Sequence, residues 1–255
     1  MNRRKAEQGP DGGKMSLGGH LKELRSRILV CIVCLVVGVL VCLAFAPEIV
    51  EQLTDLGKGY GYQYVYIAPQ ELLMVQLSVA AIGGLVICSP VLLYELYAFC
   101  APGLKRTERL TFALAVVCGV ACFCVGVLFA YEVTVPFMLY FLINLSVGTD
   151  VTSAVSIQSY VNFLLTVFVI FGVVFEMPVL SVLLTRLGVL KPEWLAKSRK
   201  VLIVVIFFVA ALITPPDILS QVMVALPMMA LFELSIFLCK LVSRGRKAKA
   251  ADPAG

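Results

Sequence analysis

The chain has 255 residues, of which 60% are hydrophobic and 15% charged, with a formal net charge of +5. Its mean hydropathy is +0.97. A soluble domain is about 45–50% apolar and about 25% charged, so one soluble core is excluded, and so is a charge-rich disordered chain. Residues 28–46, 72–94, 110–131 and 151–175 contain no Asp, Glu, Lys or Arg. Apolar runs of about 18 residues or more read as transmembrane helices. The expected class is therefore an all-α polytopic membrane protein, and its chemistry must lie in the few polar groups.

Residues 1–15 read as a polar tail. The break before the first span holds Arg3, Arg4, Lys5, Lys14, Lys22, Arg25 and Arg27. The first span is expected at about 28–46. Its basic start and its Ala44-Phe45-Ala46 end resemble a cleavable signal, but the apolar run exceeds the usual length of about 7–15 residues. Pro47 would also follow the cut, so the helix is read as retained. The break at 47–71 carries a single basic residue, Lys58.

The second span is expected at 72–99, followed by a loop with Lys105, Arg106 and Arg109. The third, at 110–140, contains Pro136, whose ring removes a hydrogen bond and predicts a kink near the outer end. After a break at 146–159 comes a fourth span at 160–185. The next loop holds Arg186, Lys191, Lys197, Arg199 and Lys200. Spans five and six, at 201–214 and 218–239, read as short and are joined by Pro215-Pro216-Asp217. At 1.5 Å per residue the fifth would reach only about 21 Å, against a hydrocarbon core of about 30 Å. Such mismatch thins the bilayer or is absorbed by snorkelling ends. Lys240, Arg244, Arg246, Lys247 and Lys249 mark a basic tail, expected from 243 to 255.

Twenty of the 21 basic residues thus fall on one side of a six-span arrangement. The positive-inside rule puts both termini in the cytoplasm. The positive charge is a topology signal, and no nucleic-acid partner is expected. The nine cysteines lie in or at the ends of apolar runs, where cysteine acts as a small apolar filler.

Glu176 stands out, in Phe171-Gly172-Val173-Val174-Phe175-Glu176-Met177-Pro178. It lies ten residues before Arg186, about 15 Å along a helix, and so near the midplane. Charge there is expensive, and the side chain should face protein or water or be protonated. It reads either as a polar seat for a substrate, partner or proton, or as a hydrogen bond to a neighbouring helix. Glu23 and Glu108 sit among basic residues at the inner face. Glu23 has a structural use as an i,i+4 pair with Arg27. Glu108 has one as a first-turn carboxylate behind a Thr107 cap. On spacing alone these uses lead; the functional alternative is a site gripping guanidinium groups. Glu95, Glu132 and Glu233 lie near span ends, where an interfacial role suffices. Asp217 suits a cap for the sixth span, and Gln221, one turn deeper, suits an interhelical hydrogen bond.

Enzyme chemistry finds no support. The one histidine, His20, precedes the first span, which leaves no intramembrane Ser–His pair. There is no metal, phosphate-loop or dinucleotide motif, and no cofactor is implied. A proton-coupled solute transporter with Glu176 as relay is the competing class.

Six segments together resemble one family, TatC, the multispanning core of the twin-arginine protein translocase. They are His20-Leu21-Lys22-Glu23-Leu24-Arg25, Ala68-Pro69-Gln70-Glu71, Phe99 through Glu108, Phe171 through Pro178, Thr214 through Gln221, and Pro227 through Glu233. The resemblance covers about 16–242, and it implies a concave six-helix bundle in a bacterial inner membrane. It implies binding of twin-arginine signal peptides, partners of the TatA and TatB type, export of folded proteins driven by the proton-motive force, and homo-oligomers within a receptor complex. It makes Glu23, Glu108, Phe99 and Arg25 expected signal-peptide residues. Glu176 becomes the intramembrane polar residue, and Asp217 and Gln221 become partner-docking residues.

Overall fold

The computed structural model describes residues 17–100, 109–145, 154–214 and 217–251. Helix α1 spans Leu17–Ala44. Phe45 then breaks the helix, and Pro47 sits in the first turn of α2, Ala46–Lys58, where its missing N–H costs nothing. The polar break expected at 47–71 thus contains a helix, α2. Its buried residues Ala46, Val50, Leu53, Thr54 and Gly57 form one face, while Glu48, Glu51 and Asp55 lie on the other. That 3.6-residue periodicity is an amphipathic helix.

Gly61, at φ +91°, provides the turn that follows, a conformation that costs glycine no Cβ clash. Strand β1, Gln63–Val65, then pairs in parallel with β2, Ala154–Ser156. Tyrosines lock this cap onto the helices. Tyr160 donates its hydroxyl hydrogen to the Leu53 carbonyl at 2.9 Å, and Tyr62 does the same to Leu139 at 3.2 Å. The buried Glu71 accepts from Ser156 at 3.3 Å.

Helix α3, Glu71–Cys100, returns across the bundle and packs chiefly on α1. With no hydrophobic force between helices in lipid, close approach of small residues drives such pairs. Gly38, Gly83 and Gly84 face Cys42, Cys88 and Val39 across this contact. A Cβ on Gly84 would lie 2.7 Å from the Val39 backbone nitrogen. The Cys88 thiol donates to the Cys34 carbonyl at 3.1 Å. The cysteines among the described residues are free, in keeping with their reading as filler. Gly84→Val should therefore push α1 from α3 and cost roughly 1–3 kcal/mol. A lowered melting temperature in detergent checks this; an unchanged one would mean that the two helices can separate at no cost.

Helix α4, Arg109–Phe129, leads through a π-helical turn, Ala130–Thr134, into α5, Val135–Leu145. The kink expected at Pro136 takes this form. The Val135 N–H reaches the Ala130 carbonyl, and the wider turn precedes a residue that has no N–H to give. Helices α6, Ile157–Phe175, and α7, Met177–Arg186, meet at Glu176. The backbone stays right-handed helical through the joint: Glu176 has φ −72° and ψ −20°, its N–H donates to the Val173 carbonyl at 3.1 Å, and its carbonyl accepts from the Leu180 N–H at 2.9 Å.

A short α8, Pro192–Lys197, precedes α9, Arg199–Ile213, of 15 residues. The last helix, α10, runs from Ile218 to Ala251 over 34 residues. Among the described residues, five helical segments are long and apolar enough to cross a membrane, within 21–44, 71–99, 112–144, 157–186 and 218–244. The expected fifth span corresponds to α9, which is shorter than these. The sixth was read as short and is not: its apolar part covers 27 residues. The tail expected from 243 continues this helix to Ala251, because Lys, Arg and Ala are good helix formers. The main core, around Phe171, Leu164, Met138, Met228 and Phe232, lies between α3, α5, α6, α9 and α10.

Candidate functional site

At the end of the bundle rich in basic residues, α1 and α3 bring three charged side chains together. The Arg27 guanidinium donates to Glu23 Oε1 through Nε at 3.1 Å and Nη2 at 2.6 Å. Its Nη1 donates to Glu95 Oε2 at 2.8 Å. The side chains of Arg27, Glu23 and Glu95 are 24%, 20% and 14% exposed, so water still reaches the cluster. Two carboxylates share one guanidinium, which leaves an excess of one negative charge. Glu23 Oε2 is buried without a hydrogen-bond partner among the described residues.

The pair between Glu23 and Arg27 has the spacing the sequence suggested. Glu95, for which the sequence suggests only an interfacial role, is a member of the cluster that helical spacing from Glu23 and Arg27 does not identify. The only signal for it was its place four residues before Phe99, which puts both on one face of α3. Phe99 is half-buried at the end of that helix, and Arg25 is exposed on α1. Glu108 lies outside the described residues. The structure thus joins Glu23 to Arg27 and Glu95.

Glu176 occupies the second polar point. It is 4% exposed, and neither carboxylate oxygen has a hydrogen-bond partner among the described residues. Gly119 on α4 makes room for it. A Cβ there would stand 3.0 Å from Glu176 Oε2 and 3.4 Å from the Tyr97 hydroxyl. Tyr97 packs edge-on against Phe112, with ring centroids 5.3 Å apart. The interhelical hydrogen bond considered for Glu176 is not formed by its carboxylate among these residues. Beside it, an apolar groove of about 510 Å³ runs between α4, α7 and α10, with Cys118, Cys122, Phe175, Pro178 and Leu231 in its wall.

At the opposite end, Asp217 caps α10 by accepting the Ser220 N–H at 2.7 Å. Gln221 Nε2 donates to the Phe207 carbonyl at 2.9 Å and ties α10 to α9. Arg199 and Glu233 tie the same helices at the basic end, at 2.7 Å. Both the cap and the interhelical bond follow the sequence reading. Gln221→Leu removes one interhelical bond, worth about 0.6 kcal/mol on average in membranes. A small fall in melting temperature, with α9 remaining protected from protease, is expected; a large fall would give Gln221 a greater structural share.

The chain and its fold are similar to known proteins. A family model described as "TatC: Sec-independent protein translocase protein" matches residues 19–227. The Sec-independent protein translocase protein TatC of Aquifex aeolicus is 36% identical over 236 residues, covering 91% of this chain and 98% of the relative. TatC of Helicobacter pylori 26695 is 37% identical over 229 residues, covering 89% and 88%. The crystal structure of a twin-arginine translocase receptor, TatC, superposes with a TM-score of 0.81 at 35% identity, covering 88% of this chain and all of that one. The chain is a multi-pass helical membrane protein and belongs to the TatC family of Sec-independent protein translocase proteins.

Proposed function

We infer that this chain is the receptor core of a twin-arginine export machine in a bacterial inner membrane. It binds signal peptides with two consecutive arginines at its cytoplasmic face, through Glu23 and Glu108, with Phe99 and Arg25 beside them. The observation that carries the reading is the Glu23 carboxylate, held by Arg27 on one oxygen and without a hydrogen-bond partner among the described residues on the other. A carboxylate oxygen left unpartnered suits a planar guanidinium better than a compact ammonium group. The surrounding basic residues repel cationic peptides that lack the right geometry.

In this reading the chain crosses the membrane six times, α9 being the short fifth crossing, and both termini are cytoplasmic. The pairing of α9 with α10 at both ends supports a hairpin, and the one-sided distribution of Lys and Arg supports the orientation. The six-span unit covers 16–242, between the tails 1–15 and 243–255. TatA- and TatB-type subunits assemble on it, near Asp217 and Gln221, and copies of the chain associate within the receptor complex. Folded cargo then moves at the expense of the proton-motive force. The role is transport rather than catalysis, and no cofactor is required.

The test is crosslinking of the full chain in bilayer nanodiscs to a synthetic signal peptide, in Arg-Arg and Lys-Lys forms. Strong crosslinking of the first and weak crosslinking of the second is expected. Equal crosslinking of both would remove the arginine readout from the proposal.

A further inference from the structure

Arg27 presents to Glu23 the same chemical group that the proposed ligand would bring. It takes Glu23 Oε1 through two of its nitrogens and leaves Oε2 buried without a hydrogen-bond partner among the described residues. An arriving guanidinium therefore meets a carboxylate already half-engaged by an internal one. If Arg27 were held by Glu23 alone, the newcomer would leave it as an unpaired, half-buried cation beside another cation, which is costly.

Glu95 removes that difficulty. It lies on α3, 68 positions from Arg27 in the chain, and takes the third contact at 2.8 Å. We propose that Glu95 is a positioning residue of the peptide site: it retains Arg27 while Glu23 exchanges its internal arginine for the ligand's. The inference rests on the reading of Glu23 given under the proposed function.

The charge arithmetic follows the same path. Two carboxylates and one guanidinium leave one negative charge, and an entering arginine makes the cluster neutral. Without the Glu95 charge, Glu23 and Arg27 already neutralise each other, and an entering arginine makes the cluster positive. The exposed Lys22 and Arg25 on α1 add to that repulsion. Arg27 is thus a built-in competitor, and Glu95 sets how strongly it competes. A fork-shaped guanidinium can contact two carboxylates on two helices at once. An ammonium group lacks that planar fork.

The experiment measures binding of a fluorescent synthetic peptide, with two arginines ahead of an apolar stretch, to the full chain in nanodiscs. Glu95→Gln should weaken binding, and Arg27→Gln should tighten it, each by roughly fivefold, as befits partly exposed ion pairs. The decisive variant combines both. Because Glu95 acts chiefly by retaining Arg27, the Glu95→Gln effect should fall well below fivefold in the Arg27→Gln background, to the remainder left by its charge alone. Persistence of the full effect would mean that Glu95 does not act through Arg27, and would overturn the proposal. Weakened or unchanged binding in Arg27→Gln would overturn it as well. Arg27→Lys keeps the charge but loses the fork, so it serves where Arg27→Gln folds poorly; it should tighten binding by less, and no tightening counts against the proposal. Glu23→Ala separates the two levels. Unaltered binding there overturns the site itself and the Glu95 proposal with it. Loss of binding there, with no gain in either Arg27 variant, overturns the Glu95 proposal alone.

Discussion

The Glu23→Ala/Glu108→Ala chain is expected to lose its preference for an Arg-Arg peptide over a Lys-Lys peptide. A hydrogen bond to a charged group contributes about 1.5–3 kcal/mol. Each carboxylate removed should therefore weaken binding by roughly tenfold to a hundredfold, and replacing both glutamates by arginine should abolish it. Titration of labelled peptide into nanodiscs gives both numbers. The structure separates this loss from misfolding. When Glu23 is truncated, Arg27 keeps its 2.8 Å contact with Glu95, and α1 remains joined to α3. The close approach of Gly84 to Val39 also persists. Melting temperature should therefore move little while affinity collapses. Wild-type affinity in the double variant would remove both residues from the proposed site.

What was legible before the structure divides by distance along the chain. Glu23 and Arg27 are four residues apart on a helix, so helical geometry alone predicts their contact. Asp217 and Ser220 form a cap for the same local reason. The contact of Arg27 with Glu95 depends on how α1 packs on α3, and glycines at 38, 83 and 84 set that packing. Apart from its four-residue spacing to Phe99, nothing in the local pattern around Glu95 announces it. Helix α2 was hidden differently. Its apolar positions recur with helical spacing, but Glu48, Glu51 and Asp55 made the stretch look like a plain polar break. The parallel pairing of β1 with β2 joins residues about ninety positions apart, beyond the reach of local propensity. The length of α10 was underestimated because charge was taken to end the helix, whereas charge ends only the membrane-embedded part.

Glu176→Leu should abolish export while leaving a folded, membrane-inserted chain. Both expectations come from the same observation. The Glu176 oxygens have no hydrogen-bond partner among the described residues, so leucine deletes no bond that the fold shows there. An ionisable group in mid-membrane costs about 2.5–3.5 kcal/mol on insertion scales. Its replacement should therefore leave the melting temperature unchanged or raised. A costly group without an internal partner is suited to an external one. The neighbouring groove between α4, α7 and α10 offers apolar walls for such a partner, and Gly119 leaves the room that the carboxylate occupies. Export of a twin-arginine reporter, scored against the amount of inserted protein, reads the outcome. Glu176→Gln then separates two roles. A seat that needs only a polar acceptor retains part of its export with glutamine, because the amide oxygen still accepts. A seat that needs a titrating proton retains none. Full export in Glu176→Leu would assign the residue no part in transport, and its unpartnered oxygens would then be a local cost that the rest of the bundle offsets.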